Sequence, residues 1–133
     1  MVRSLALSML IALAAPSSAQ PIAQIQVQPG AMATMAVAVS SFRIVPATIR
    51  LAAGQPVRLV FTNVSGSGHD FTAPGFFARA QILSGMTNGA GKVELPGHAQ
   101  AIVTLIPAKG AYRARCTHFA HSMMGMKALI VVE

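Results

Sequence analysis

The chain has 133 residues, with ten Lys and Arg against three Asp and Glu, so its formal net charge is +7. The basic residues are scattered, and the chain has no Trp and one Tyr, which disfavours nucleic-acid binding because few aromatic side chains could stack on bases. The single cysteine excludes an intramolecular disulfide.

The N-terminal segment 1–19 has the pattern of a secretory signal sequence. Arg3 gives it a positive start, a short apolar run follows, and small residues precede the expected cleavage site. The apolar run is too short to span a bilayer comfortably, which disfavours a permanent anchor. We therefore expect an exported, periplasmic protein that starts at about Gln20, has no stable membrane insertion and is a monomer.

The rest of the chain predicts an all-β fold, because short runs rich in Val, Ile and Ala alternate with Gly, Pro, Asn and Ser. Its length suits one domain. Residues 20–33 are interpreted as a leader or edge strand, and residues 34–133 as the domain. The stretch 74–91 is predicted to be a loop with one helical turn around 76–80. Strands are predicted at 34–45, 48–52, 57–62, 69–73, 92–95, 100–106, 110–116 and 126–132.

The segment CTHFAHSMMGM, residues 116–126, holds the only cysteine, two of the four histidines and three of the eight methionines. Thiolate, imidazole and thioether groups are soft or borderline metal ligands. A lone thiol in an exported protein is a liability unless it is buried or bound. The composition of this segment therefore indicates a metal site.

Strand alternation predicts which side chains of this segment point inward. Arg113 and Arg115 must face water, so Cys116 falls on the inner face of its strand. Lys127 marks the outer face of the last strand, which turns Met126 inward. The two sulfur atoms would then flank one loop at the same interior end of the domain.

A fourth ligand should come from another strand near a loop end. The polar, glycine-rich turn in NVSGSGHDF leads into His69, while His121 lies midway along the methionine-rich loop. Two imidazoles, one thiolate and a weak axial thioether suit copper in electron transfer. Each side chain also has a simpler explanation: a buried small hydrophobe for Cys116, a loop residue for either histidine, and ordinary core for Met126. The simpler explanation is strongest for the methionine, which fills gaps in any core.

The C-x4-H-x4-M spacing of Cys116, His121 and Met126, with His69 upstream, resembles the type 1 copper site of the cupredoxins, the family of azurin, pseudoazurin and plastocyanin. The stretches FRIVPATIRLAAGQPVRLVFTN and KGAYRARC are also similar to that family. The resemblance implies a Greek-key β-sandwich and one copper ion held by these four residues. It also implies that the carbonyl of Gly68 could be a weak fifth ligand.

The surroundings of this motif differ in part from the family pattern. Asp70 stands where cupredoxins commonly have Asn, whereas Thr117 matches its usual partner. We expect Asp70 to accept hydrogen bonds from Thr117 and to favour the oxidised ion through its charge. His118 is predicted to point outward at the rim, where it could meet incoming metal. Met123 and Met124 are predicted to form apolar surface around the site.

The resemblance implies a one-electron carrier without enzymatic activity. The alternative is a copper carrier that delivers Cu(I) to an acceptor, which the methionines of the loop would suit. A domain that has lost its metal is disfavoured because all four ligands are present, and catalysis because a filled axial position leaves no open coordination site. The expected partner is an acidic periplasmic redox protein or a copper acceptor. Phe119, Met123 and Met124 would form the contact patch around His121.

Overall fold

The computed structural model describes residues 31–85, 87–118, 120–121 and 123–133. The predicted signal sequence, most of the predicted leader and Phe119 lie outside the described residues. Within those ranges the chain forms ten strands and one short helix. They are β1 (Ala33–Ser40), β2 (Arg43–Val45), β3 (Thr48–Leu51), β4 (Val57–Asn63), β5 (His69–Thr72), α1 (Pro74–Arg79), β6 (Gln81–Ser84), β7 (Lys92–Leu95), β8 (Gln100–Ile106), β9 (Gly110–Arg115) and β10 (Lys127–Val132).

The strands form two five-stranded sheets that pack as a sandwich. The first sheet has the order β2-β1-β4-β8-β6, and the second has the order β3-β10-β9-β5-β7. Each sheet is mixed, because β1 runs parallel to β4 and β3 runs parallel to β10 while the other pairs are antiparallel. The all-β prediction is confirmed.

Two predicted segments differ in detail from the structure. The single strand predicted at 34–45 is wrong: β1 and β2 form a hairpin, and Phe42 adopts a positive φ of 63° in the turn between them. The stretch 74–91 contains the predicted helical turn, α1, but it also contains β6, which pairs with β8. All four residues of β6 are exposed, so its sequence lacks the alternation that marks a half-buried strand.

The core lies between the sheets and is built from the inward residues of both. Phe61 of β4 and Phe71 of β5 meet across it with ring centroids 4.7 Å apart, and both are fully buried. Phe76 and Phe77 of α1 close one side of this core. Truncating a buried phenylalanine to alanine costs about 3–5 kcal/mol, so these side chains are a main source of stability.

The pairing of β9 with β10 brings the two ends of the methionine-rich loop together. Arg115 lies opposite Lys127 in an antiparallel ladder, and the Cys116 N–H donates to the Met126 carbonyl at 3.1 Å. Arg113 and Arg115 are exposed while Cys116 and Met126 are fully buried. The predicted directions of these side chains are confirmed.

β5 lies on the other side of β9 and carries the upstream histidine to the same end of the sandwich. The two strands pair antiparallel through Thr72 and Arg115. Continuing this register by two residues places Thr117 opposite Asp70, next to His69 at the start of β5. Within the described ranges the only helix, α1, is far shorter than a bilayer crossing requires, so no membrane-spanning helix is found there.

Candidate metal centre

His69, Cys116 and His121 converge at this end of the sandwich. Their ligand atoms all lie within 4.8 Å of one another. The Nδ1 atoms of the two histidines are 3.2 Å apart, and the Cys116 Sγ lies 3.5 Å from the His121 Nδ1. Each residue comes from a different segment: the start of β5, the residue after β9 and the following loop. The structure thus brings His69 next to Cys116 and His121, although His69 lies 52 residues before His121 in the sequence.

Met126 lies in the interior next to this cluster, whereas the other loop methionines lie at the surface. Its side chain is fully buried, and its N–H donates to the His121 carbonyl at 3.1 Å. Met123 and Met124 are 86% and 58% exposed. Of the three loop methionines, Met126 alone is buried beside the cluster. Its role as axial ligand stays a prediction.

The imidazole of His69 is held in one orientation by the turn before it. Its Nε2 lies 2.9 Å from the Ser65 Oγ, and the Ser65 hydroxyl in turn donates to the Asn63 Oδ1 at 2.9 Å. With the hydroxyl proton directed to Asn63 or to the Ser67 carbonyl, the Ser65 oxygen can accept from a His69 Nε2–H; we assign this tautomer, which leaves Nδ1 unprotonated. Burial, with the nearby His121 and His118, lowers the pKa of His69. The ring is therefore neutral, with a lone pair facing the cluster.

Asn63 is a site residue that the sequence interpretation missed. It is almost completely buried, and the carbonyl oxygens of Ser67, Leu95 and Pro96 lie 2.7, 2.9 and 3.1 Å from its Nδ2, which shares its two protons among them. These bonds tie the glycine-rich turn to the end of β7. An Asn at the end of an apolar strand and directly before a Ser- and Gly-rich turn was the available signal.

Asp70 is fully buried and fully hydrogen-bonded beside the thiol. Its carboxylate accepts from the Thr72 hydroxyl at 2.7 Å, from the Thr117 hydroxyl at 2.8 Å and from the Thr117 N–H at 3.0 Å. The expected hydrogen bond between Thr117 and Asp70 is present. Burial alone would raise the pKa of Asp70, but these hydrogen bonds, together with Lys92, outweigh it and hold the pKa below its usual value. The Cys116 Sγ lies 3.8 Å from the Asp70 Oδ2.

Lys92, Glu94 and His118 surround the outer side of the Asp70 carboxylate. Lys92 lies 3.0 Å from Glu94 and 3.9 Å from Asp70, and the His118 Nε2 lies 3.7 Å from the Asp70 Oδ2. His118 is partly exposed at the rim, as predicted, but its ring turns towards the carboxylates and stacks on His121 at 5.7 Å. Oxygen and nitrogen atoms of Asp70, Glu94 and His118 also lie within 4.8 Å. Because Lys92 already contacts both carboxylates, we interpret this group as a charge network.

The chemistry of the cluster fits a copper ion. Burial raises the pKa of Cys116, so the thiol holds its proton until a cation compensates the charge of the thiolate. Two imidazoles, one thiolate and a thioether form a donor set that suits copper. A Cβ placed on Gly68 would lie 3.5 Å from the His118 ring, so this glycine also packs close to the centre. The role of its carbonyl as a fifth ligand stays a prediction.

Comparison with known proteins places the fold. No protein-family model and no curated protein match the chain. Auracyanin B is 20% identical over 80% of this chain and 93% of its own, with a TM-score of 0.56. Sodium-dithionite-reduced auracyanin from Roseiflexus castenholzii is 20% identical over 78% of this chain and 99% of its own, with a TM-score of 0.59. A multicopper oxidase from Campylobacter jejuni is 12% identical, with a TM-score of 0.60, and the match covers 82% of this chain but 31% of the oxidase.

These structural neighbours establish the fold, and the positions of the side chains define the metal-binding cluster within it. His69, Cys116 and His121 form a compact cluster with Met126 buried beside it. The chain has the cupredoxin fold and the His-Cys-His-Met arrangement of a type 1 copper site, and this arrangement fits a single copper ion.

Proposed function

We propose that this protein is an exported type 1 copper protein that acts as a one-electron carrier in the periplasm. The observation that carries the proposal is the cluster of His69, Cys116 and His121, whose ligand atoms lie within 4.8 Å of one another. These three residues would hold the ion, with Met126 as axial ligand and the carbonyl of Gly68 as a weak fifth one. When bound, copper supplies a Cu(II)/Cu(I) couple.

The residues of the site are fixed by contacts that do not depend on the ion. His69 is oriented by Ser65 and Asn63, while Cys116 and Met126 are joined by a backbone hydrogen bond of 3.1 Å. A donor set that is oriented in advance reorganises little when the charge on the ion changes. This pre-organisation favours repeated electron transfer over release of the ion.

His121 is the ligand nearest the surface and supports an electron route through the loop. Its side chain is half-buried, and its ring meets the edge of Phe42 at 5.3 Å. Met123 and Met124 add exposed apolar surface to the same loop. A redox partner could therefore approach His121 closely, and the positive net charge of the chain favours an acidic partner.

Periplasmic location is supported by the signal-like pattern of residues 1–19. The proposal includes no catalytic activity, because an axial Met126 leaves no open position for a substrate. The matched oxidase is a longer protein, of which this chain covers less than a third.

Copper delivery is the second candidate function, and the exposed methionines favour it. Met123 and Met124 are soft thioether donors at the mouth of the site, and the partly exposed His118 lies close to them in sequence. Such donors could pass Cu(I) to an acceptor. The two functions differ in whether the copper stays with the protein.

One experiment separates them. The purified protein is loaded with one equivalent of Cu(II), reduced, and mixed in a stopped-flow instrument with an oxidised acidic cytochrome, while copper content is measured before and after. Electron transfer predicts rapid oxidation that slows as salt rises above about 0.1 M, with copper retained. Slow oxidation combined with rapid loss of Cu(I) to a chelator of moderate affinity would favour delivery. A folded protein that takes up no copper would contradict both functions.

A further inference from the structure

We propose that the outer face of β9 and β10 is a docking groove for an acidic segment of a partner protein. A groove of about 610 Å³ lies on this face. It is lined by Thr72, Pro74, Arg113, Ala114, Arg115, Lys127, Ala128 and Leu129.

The groove exists because β5 leaves β9 early. The two strands pair at Thr72 and Arg115, and the chain then turns into α1 at Pro74. The ladder with β10 places Lys127 opposite Arg115 and Leu129 opposite Arg113. Three cations and one partly exposed apolar side chain therefore border the same opening.

Within the described residues, the groove cations have no acidic partner. The full sequence has three acidic side chains. Asp70 and Glu94 contact Lys92 and His118, and Glu133 pairs with Arg50 at 3.1 Å.

The three groove cations form no ion pair in the part of the chain that the structure describes. Like charges that lie directly opposite on neighbouring strands, such as Arg115 and Lys127, destabilise the sheet. An external anion would relieve this repulsion.

The arrangement fits a segment of chain better than a small ion. Arg113 and Arg115 lie two residues apart on one face of β9, a separation of about 6.5–7 Å. An extended acidic segment presents alternate carboxylates at the same spacing, so both arginines can be paired at once. Leu129 and Pro74 add apolar surface against which the carbon stems of these acidic side chains can pack.

The groove also adjoins the proposed copper loop. Arg115 directly precedes Cys116, and Lys127 directly follows Met126. A bound segment would therefore lie beside both ends of the loop. The binding involves none of the proposed copper ligands, so we expect it in the copper-free protein as well as in the copper-loaded one.

The test is the affinity of the purified protein for a fluorescent oligoglutamate peptide at low ionic strength, with and without copper. Arg113→Gln, Arg115→Gln and Lys127→Gln should each weaken binding on the order of fivefold, as expected for loss of one charge-assisted contact. Arg58→Gln is the matched control, because it removes the same charge from an exposed position on the opposite sheet. It should change the affinity less than about twofold.

A charge-matched pair of double variants separates a local groove from a general effect of net charge. Arg113→Gln/Arg115→Gln should lose far more affinity than Arg58→Gln/Lys109→Gln, and Arg115→Lys should retain most of it. Equal losses in the two doubles would overturn the proposal, as would a failure of oligoglutamate to bind. Competition by citrate as strong as by the peptide, at equal carboxylate concentration, would overturn it in favour of a small-anion site. Binding to anionic vesicles through the same cations, without peptide binding, would likewise overturn it.

The visible absorption band of the copper-loaded variants is measured as well, so that a failure of peptide binding can be distinguished from a failure of the proposed copper function. The three groove cations that are substituted are exposed and are not among the proposed ligands. The band should therefore persist in every variant, whether or not the peptide binds.

Discussion

Replacing Asp70 with Asn removes a buried charge from beside the proposed thiolate ligand while preserving the shape of the side chain. The Asp70 Oδ2 lies 3.8 Å from the Cys116 Sγ. The charge that changes on reduction would lie on the ion, about 2.3 Å beyond the sulfur. Two unit charges about 6 Å apart interact by about 3 kcal/mol at an effective dielectric constant of about 20. Lys92, whose ammonium group lies 3.9 Å from the same oxygen, offsets part of this interaction and leaves a net effect of roughly 1–3 kcal/mol.

This charge stabilises the more positive, oxidised state of a copper ion, so its removal should raise the reduction potential. A net effect of that size corresponds to roughly 40–130 mV for a one-electron couple. The measurement is a potentiometric titration of the copper-loaded protein, followed through its visible absorption band. The copper content and the band position of the Asp70→Asn variant show whether the site itself is retained.

Glu94→Gln is the matched control because it removes the same charge from the rim of the same network. The Glu94 side chain is 58% exposed, so water screens its carboxylate far more than that of Asp70. We expect a much smaller shift in the control. A potential that is unchanged or lower in Asp70→Asn, or an equal shift in Glu94→Gln, would refute the reasoning.

The remaining predictions concern the ligands and the acid stability. Cys116→Ser should abolish the thiolate-to-copper absorption band while circular dichroism shows an intact β fold; a wild-type protein that stays colourless with one equivalent of Cu(II) would contradict the type 1 assignment. Met126→Leu should keep most of the colour and raise the reduction potential, because a thioether is a weak axial ligand, whereas Met124→Leu at the surface should do little; the opposite ranking would show that the loop positions another methionine. In the copper-free protein, burial opposes the charge of Asp70 but its hydrogen bonds lower its folded-state pKa. Its stabilising contribution is complete above its unfolded-state pKa of about 4 and is lost as pH falls through the lower folded-state value. Denaturant titrations over this range should therefore show a flatter pH dependence for Asp70→Asn, and equal slopes would contradict this.

The sheets could be predicted from the sequence wherever one face of a strand is buried and the other is exposed. Alternation located β9 and β10 and gave the direction of Cys116 correctly. It failed for β6, an edge strand with all of its residues exposed, because no burial pattern is imposed there. It also merged β1 with β2, because a tight hairpin turn that uses Phe42 at positive φ has no glycine to mark it.

The ligand cluster could be predicted for a different reason. Cys116, His121 and Met126 lie within one short loop, so their spacing is visible in the sequence, and the polar, glycine-rich turn before the next strand indicated His69 as the fourth ligand. The charge network around Asp70 could not be found in this way. Lys92 reaches Asp70 because β7 pairs with β5 in a register set by tertiary packing, which spacing along the chain does not encode.

The buried and the exposed charges of this protein are expected to act on different properties, the reduction potential and the binding of a partner. Asp70 is buried, so its field acts on the metal centre through a medium of low polarity. Arg113, Arg115 and Lys127 are exposed, so water and salt screen their effect on the interior while leaving them free to attract an acidic partner.

The two sets of variants should therefore separate binding from redox potential. Arg113→Gln/Arg115→Gln should weaken peptide binding but leave the reduction potential nearly unchanged. Asp70→Asn should raise the potential but leave peptide binding nearly unchanged, because its carboxylate is buried beneath the surface that the peptide would contact. Both properties are measured on the same copper-loaded samples, at one ionic strength of about 0.1 M. If both variants changed both properties to a similar extent, the groove and the metal centre would be electrostatically coupled, and the separation argued from burial would be wrong.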